Sequence, residues 1–475
     1  MGALEGAHLA AVACACDDDE EQSDCIPLLA GDAATAADAM EPAVRALLLG
    51  LGEDDRREGL RRTPKRVSKA FRDGTRGYRQ KVKDIVRGAL FPEVGVDKRT
   101  GSAGGTGGQV VVRDIELFSY CESCLLPFSI QCHVGYVPSG GRVVGLSKLS
   151  RVSDVFAKRL QNPQRLANEV CGALHASIQP AGVAVALQCW HIPLPENLEC
   201  KTLQGWIRTS RSCRSGLFEG ESSTLWSDFL ALVKLRGIDM EAGTGDRCVS
   251  VPWCPLRSRE VPLSNGLCKK SSTNGMVSAV ASMLLSLGED PLRKELLGTP
   301  QRYVQWLMKF RARNLLDVKL NGFTLGNASL HERPGGGTAD HGHGSIRTEL
   351  HLPFCAQCEH HLLPFYGVVH IGYLDKGSGE GIIDRSHFQA LVRFYGCKLQ
   401  VQERMTRQIA EAVHSVSRNG AMVVVEASHM CMISRGVEKI RSNTATVAVL
   451  GHFLTDPSAK ARFLQNVLRT AGSAV

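Results

Sequence analysis

The chain is 475 residues long, 43% hydrophobic and 22% charged, a composition that gives globular material with enough apolar content for two or three cored domains. Its formal charge of +8 is modest for that length and the basic residues are dispersed, which argues against nucleic-acid binding and mildly favours an anionic substrate. No apolar run approaches the roughly 20 residues that span a bilayer, and the 17 cysteines, odd in number and irregularly spaced, fit reduced thiols in a cytoplasmic protein better than a disulfide framework.

Residues 1–40 read as disordered, and the acidic run Asp17 to Glu21 is wrong for a signal or transit peptide. A first domain is expected over 41–240. In it, Thr63 and Pro64 give N-cap and first-turn signals for a helix running toward Tyr78. A Gly-rich loop at 101–108 follows, and then a strand alternating through Phe128, Ile130, Cys132, Val134 and Tyr136. A helical pair over about 147–178, a Val-rich strand ending near His191, a further extended segment and a closing helix complete the unit. The stretch 241–275, rich in Gly, Ser, Pro and Cys, reads as a linker.

A second domain over 276–475 repeats the first in order. Leu51, Gly52, Glu53, Asp54 recurs as Leu287, Gly288, Glu289, Asp290, and Thr63, Pro64 as Thr299, Pro300. His133, Val134, Gly135, Tyr136 recurs as His370, Ile371, Gly372, Tyr373. Two long copies indicate tandem domains, not a solenoid, each an α+β unit with helices on one face of a sheet.

The copies differ where chemistry would sit. Cys358, Glu359, His360, His361, Leu362, Leu363, Pro364, Phe365 in the second half faces Cys121, Glu122, Ser123, Cys124, Leu125, Leu126, Pro127, Phe128 in the first. Cys358 and His361 have C-x-x-H spacing, and His429-Met430-Cys431 offers a further thiol. Thiolate and imidazole donors suit Zn²⁺, and three of them leave a fourth position for water. Cys355 could instead close the site, and spacing alone favours neither arrangement. In the first half Cys121 and Cys124 form C-x-x-C, with Cys132 and His191 as further candidate donors, but a four-ligand site needs two correctly placed additions. The expectation is one zinc per chain, in the second half.

The segments CEHHLLPF from Cys358, LQVQERMTRQI from Leu399 and SHMCMISRG from Ser428 resemble, in order, the signatures of the GTP cyclohydrolase I family. The resemblance spans about 42–237 and 276–471, and the tandem form is similar to the plant type. It implies two tunnelling-fold (T-fold) domains, each an antiparallel sheet with helices on one side behind an N-terminal helical segment. It also implies a homo-oligomer that converts GTP to 7,8-dihydroneopterin triphosphate and formate, in the pterin branch of tetrahydrofolate biosynthesis. Other tunnelling-fold pterin or deazaguanine enzymes, or a regulatory pseudoenzyme, are the competing readings.

By the same resemblance Cys358, His361 and Cys431 hold zinc, His360 and His429 are acid/base groups, Gln402 and Glu403 read the guanine, and Arg435 contacts the triphosphate. The family's phosphate-holding segment is intact only in the first half, as Ser147, Lys148 and Arg151; the second reads Ser386, His387 and Ala390. The first half has in turn lost the zinc and guanine groups, with Pro193 for the third ligand and Pro163 and Gln164 for the Gln-Glu pair. Complementary losses imply a site between unlike halves. Arg66 and Arg302 both match a further phosphate-contacting arginine, so the sequence leaves open which of them serves.

Overall fold

The computed structural model describes residues 32–92, 108–192, 207–220, 223–235, 253, 254, 256, 270–316, 346–374, 384–417, 419–437 and 442–471. The Gly-rich loop at 335–344 with His341 and His343, most of that at 101–108, and Pro193 lie outside them.

In the first half α1 (Asp32–Gly50), α2 (Glu58–Arg61), α3 (Thr63–Gly74) and α4 (Val82–Val86) lead into β1 (Leu90–Pro92), β2 (Val110–Cys121), β3 (Pro127–Val137) and β4 (Arg142–Val144). Then come α5 (Leu146–Ala157), β5 (Leu160–Gln161), α6 (Pro163–Ile178), β6 (Gly182–His191), β7 (Ile207–Gly216) and α7 (Thr224–Lys234). The second half opens with α8 (Lys270–Ser286) and α9 (Thr299–Leu316), followed by β8 (Ile346–Cys358), β9 (Pro364–Leu374), α10 (Arg385–Gly396), β10 (Leu399–Gln400) and α11 (Gln402–Ser417). It ends with β11 (Gly420–His429), α12 (Met430–Ile433), β12 (Thr444–Gly451), α13 (His452–Thr455) and α14 (Pro457–Ala471). Thus α1 starts inside the stretch read as disordered, and α8 inside the stretch read as linker.

The two sheets are copies, ordered β5-β2-β3-β6-β7 and β10-β8-β9-β11-β12. Their long strands are antiparallel, and only the two-residue β5 and β10 pair in parallel. Both carry a bulge at one place, between Val112 and Ile115 and between Glu349 and Leu352. There Asp114 and His351 take positive φ, and each gives its backbone N–H to the Nδ1 of a buried histidine, His133 or His370. The repeated histidines thus hold the bulge that bends each sheet.

Alternation along β6 and β11 fixes the layers. Val183, Val185 and Leu187, like Val423 and Val425, enter the main core, which also takes Leu149 and Val152 of α5, Leu166 and Val170 of α6, and Met405 and Ile409 of α11. Their neighbours Ala184 and Ala186 meet Phe229 and Val233 of α7, while Met422 and Val424 meet Phe463 and Val467 of α14. The helical pair therefore covers one face, as the layer plan expects, and the closing helix covers part of the other. That is why these strands are apolar on both sides instead of alternating with polar residues.

The halves are joined by exchange. Helices α1 and α8 pack together so closely that a Cβ on Gly50 would lie 2.4 Å from Met276 Cγ. Helix α3 docks on the second half, where the Thr63 hydroxyl donates to the Glu359 carbonyl at 2.7 Å, and α9 docks on the first, where Thr299 donates to the Glu122 carbonyl at 2.7 Å. By sequence alone these threonines are expected to be local caps. Instead each opens its helix and anchors it to the other half, while the residue at the N-cap of α3, Arg62, makes no side-chain cap.

Both glutamates are buried and bridged across the same junction. Glu359 accepts from Arg404 Nη2 at 2.6 Å and from Arg57 Nη1 of the first half at 2.8 Å. Glu122 accepts from Arg165 at 2.8 Å and from Arg293 of the second half at 3.2 Å. Gly59 permits the Glu359 contact, since a Cβ there would fall 2.2 Å from Oε1.

Removing a hydrogen bond to a charged group costs about 1.5–3 kcal/mol, and Arg57→Ala is expected to destabilise the chain by that order at neutral pH. Burial raises the Glu359 pKa, but Arg404 and Arg57 outweigh it and hold the carboxyl below its usual range. The stabilisation is therefore full above the ordinary carboxylate pKa and is lost as pH falls through the depressed value. Denaturant unfolding should show the gap between variant and wild type closing on acidification; a gap independent of pH would contradict the pairing.

Candidate metal and active site

The loop between β8 and β9 is built to present donors. Cys358 N–H donates to Leu363 O at 2.9 Å and Leu362 N–H to Cys358 O at 2.9 Å, with Leu362 at φ 53°. A leucine in the left-handed region carries a conformational cost, and such residues persist where the surroundings over-determine them. The first-half loop repeats this, with Leu125 at φ 58° and matching bonds from Cys121 and Leu125.

From this loop and the start of α12 the structure brings Cys358, His361 and Cys431 together, one ligand atom from each lying within 4.8 Å of the others, all buried. A hydrogen bond with Cys431 does most to hold the Cys358 thiol well below its usual range, against burial and with help from His360 and His361. His361 Nδ1 is buried without a hydrogen-bond partner. Two cysteines, one already favouring thiolate, and a buried imidazole are a donor set that fits zinc. Cys355, the rival fourth ligand, is not part of the cluster.

His429, last in β11, stacks flat on Phe365 at 4.7 Å between centroids. Its Nε2 is 2.7 Å from Gln402 Oε1. The Gln402 amide nitrogen faces three oxygens, Val425 O, Thr444 O and Thr446 Oγ1, at 2.9–3.1 Å and shares its two hydrogens among them, so its oxygen must accept and His429 Nε2 must carry the proton. The neutral ring therefore has its lone pair on Nδ1. Gln402 is buried and acts on His429, while Glu403 beside it is exposed. His360 is half-buried, its Nε2 4.0 Å from Glu359 Oε1. Arg435, exposed one turn past Cys431, donates through Nε to the Cys431 carbonyl at 2.8 Å.

The phosphate-type residues divide as follows. Ser147, Lys148 and Arg151 lie in the first two turns of α5, Ser147 and Arg151 exposed. Of their second-half counterparts, Ser386 donates to Asp384 at 2.5 Å, and His387 and Ala390 stand at the lysine and arginine positions; the neighbouring Arg385, which aligns with Leu146, donates to Glu349 at 3.0 Å. Arg302 is turned to the first-half loop, its Nε donating to the Ser123 carbonyl at 2.8 Å. Arg66 follows Thr63 by one turn on α3, the helix that docks on Glu359.

One donor was missed from sequence. Cys254 joins Cys121, Cys124 and His191, the three already named as candidates, in a second buried cluster in the first half, their donor atoms within 4.8 Å of one another, and Cys132 is not part of it. Cys254 lies in the stretch read as linker, and no spacing rule tied it to residues more than 60 positions earlier.

Comparison with known proteins places both halves. The family model described as GTP cyclohydrolase I matches residues 40–232 and 276–468. A tomato protein (Solanum lycopersicum) named GTP cyclohydrolase 1 is 56% identical over 439 residues, 92% of this chain and 93% of its own. Its Arabidopsis thaliana namesake is 51% identical over 439 residues, 91% of each chain. A Gloeobacter violaceus protein of that name is 41% identical over 202 residues, 84% of its length but 41% of this chain, the extent of a single half.

Cys358→Ser and Cys431→Ser are each expected to remove one metal equivalent per chain while leaving the circular dichroism of the fold intact. Unchanged metal content in either variant would contradict the ligand assignment.

Proposed function

Since the chain belongs to the GTP cyclohydrolase I family along both halves, we propose that it opens the imidazole ring of GTP by hydrolysis, releases C8 as formate and recloses the product as 7,8-dihydroneopterin triphosphate. The observation that carries this reading is the convergence of Cys358, His361 and Cys431 next to the oriented His429–Gln402 pair. Zinc held by those three residues would leave one position open and supply water acidified enough to be a nucleophile near neutral pH.

The protein's own groups manage protons and position. His429 Nδ1 takes a proton while Gln402 keeps the ring in place, and the ring then gives it up again, suited by an unperturbed histidine pKa of about 6.5. His360, in the zinc loop itself, is the second acid/base group. Glu403, second in α11, accepts from the N–H edge of guanine. Arg435, anchored through Nε, turns its remaining N–H groups to phosphate oxygens, which a guanidinium binds as a fork.

The triphosphate wall is the first half's Ser147, Lys148 and Arg151, because the second half has His387 and Ala390 at the lysine and arginine positions and its Ser386 is held by Asp384. Of the two shared arginines, Arg66 serves the site, because it rides on the helix anchored at Glu359 whereas Arg302 is spent on Ser123. The working site therefore combines unlike halves, one per chain. Self-association into a homo-oligomer is supported by the outermost strands β7 and β12, which end their sheets among the described residues and present one long edge each.

Incubation with GTP is expected to yield formate and a fluorescent pterin after oxidation, and neither should form in Cys431→Ser. Lys148→Ala is expected to raise KM about 10-fold, the loss of one charged contact, with kcat and metal content little changed. Wild-type kinetics in that variant would remove the first half from the site.

A further inference from the structure

We propose that Cys121, Cys124, His191 and Cys254 form a closed, structural zinc site in the first half. Three thiols and an imidazole are a common structural zinc set, and C-x-x-C spacing within a tight turn is a common way to place two of them. All four residues are buried and their donor atoms lie within 4.8 Å of one another. His191 Nδ1 is 3.0 Å from the Ile192 carbonyl and donates to it, which leaves Nε2, 3.3 Å from Cys124 Sγ, as the ligand nitrogen. A backbone carbonyl on the far ring nitrogen is the usual outer partner of a metal-bound histidine.

The site is the active-site frame put to another use. Cys121 and Cys124 occupy the loop positions of Cys358 and His361, and His191 pairs with Phe128 in the register that places His429 opposite Phe365. In the second half an amide holds that histidine, because Gln402 heads α11; in the first half Pro163 heads α6 and has none to offer. His191 turns to the thiols. The fourth donor, Cys254, comes from the chain between the repeats, seated by Trp253, whose ring packs edge-on against Phe128 at 5.3 Å and His191 at 5.5 Å. Four protein donors leave no position for water, so this zinc ties the interrepeat segment to the sheet and performs no hydrolysis.

Metal content of the purified full-length chain, measured by mass spectrometry, tests this apart from any activity. Two zinc ions per chain are expected in wild type, one in Cys254→Ser, one in Cys431→Ser and none in the double variant. Cys254→His, which restores a ligand, should hold two. One zinc in wild type, or two in Cys254→Ser, would overturn the proposal. Should Cys254→Ser fail to fold, Cys431→Ser loaded with cobalt(II) decides the matter. Tetrahedral bands with strong thiolate charge transfer support the site, and their absence overturns it.

Discussion

A buried carboxylate shared between halves sets the architecture. Glu359 directly follows Cys358 of the candidate metal cluster, and its charge is tolerable inside the protein because Arg404 of its own half and Arg57 of the other reach it together. Separating the halves would leave that charge with one partner and strip the Thr63 hydroxyl from the Glu359 backbone. The position of the loop that carries Cys358 and His361 is thereby coupled to the docking of a helix from the other repeat. Glu122, with Arg165, Arg293 and Thr299, repeats the device in the opposite direction.

This reciprocity explains how two repeats could lose different functions without losing the fold. The elements that hold the loops are the same in both: the left-handed leucine, the buried glutamate, the crossed threonine and the bulge histidine. What differs is confined to side chains facing the site. With His361, Gln402 and Cys431 the frame gives an open set of donors and an oriented base. With Cys124, Pro163 and an added Cys254 it gives a closed set. In the proposed ring-opening site the second repeat supplies the metal and guanine groups and the first the triphosphate groups, so their remaining groups are complementary.

Much of this was legible in the chain. The repeat order, the sheet strands and the helical pairs follow from apolar periodicity and duplicated motifs, and Cys358, His361 and Cys431 from short spacing and family likeness. The exchange of α3 and α9 was not legible, because Thr-Pro at a helix start reads as a cap and nothing local says that the hydroxyl will serve a distant carbonyl. The role of Gln402 in orienting His429 was hidden too, since it depends on which way a buried amide turns. Cys254 was least visible, a single thiol in a stretch whose composition signals a linker, brought to its partners where Trp253 and Leu256 pack against the core.

The most direct test is the structure of the native assembly with a bound GTP analogue that resists ring opening at C8. The guanine is expected against Glu403 and the Cys358, His361 and Cys431 cluster, with the phosphates reaching Lys148 and Arg151 of a first half. Phosphates held wholly by second-half residues, with Lys148 and Arg151 remote from every such cluster, would contradict it.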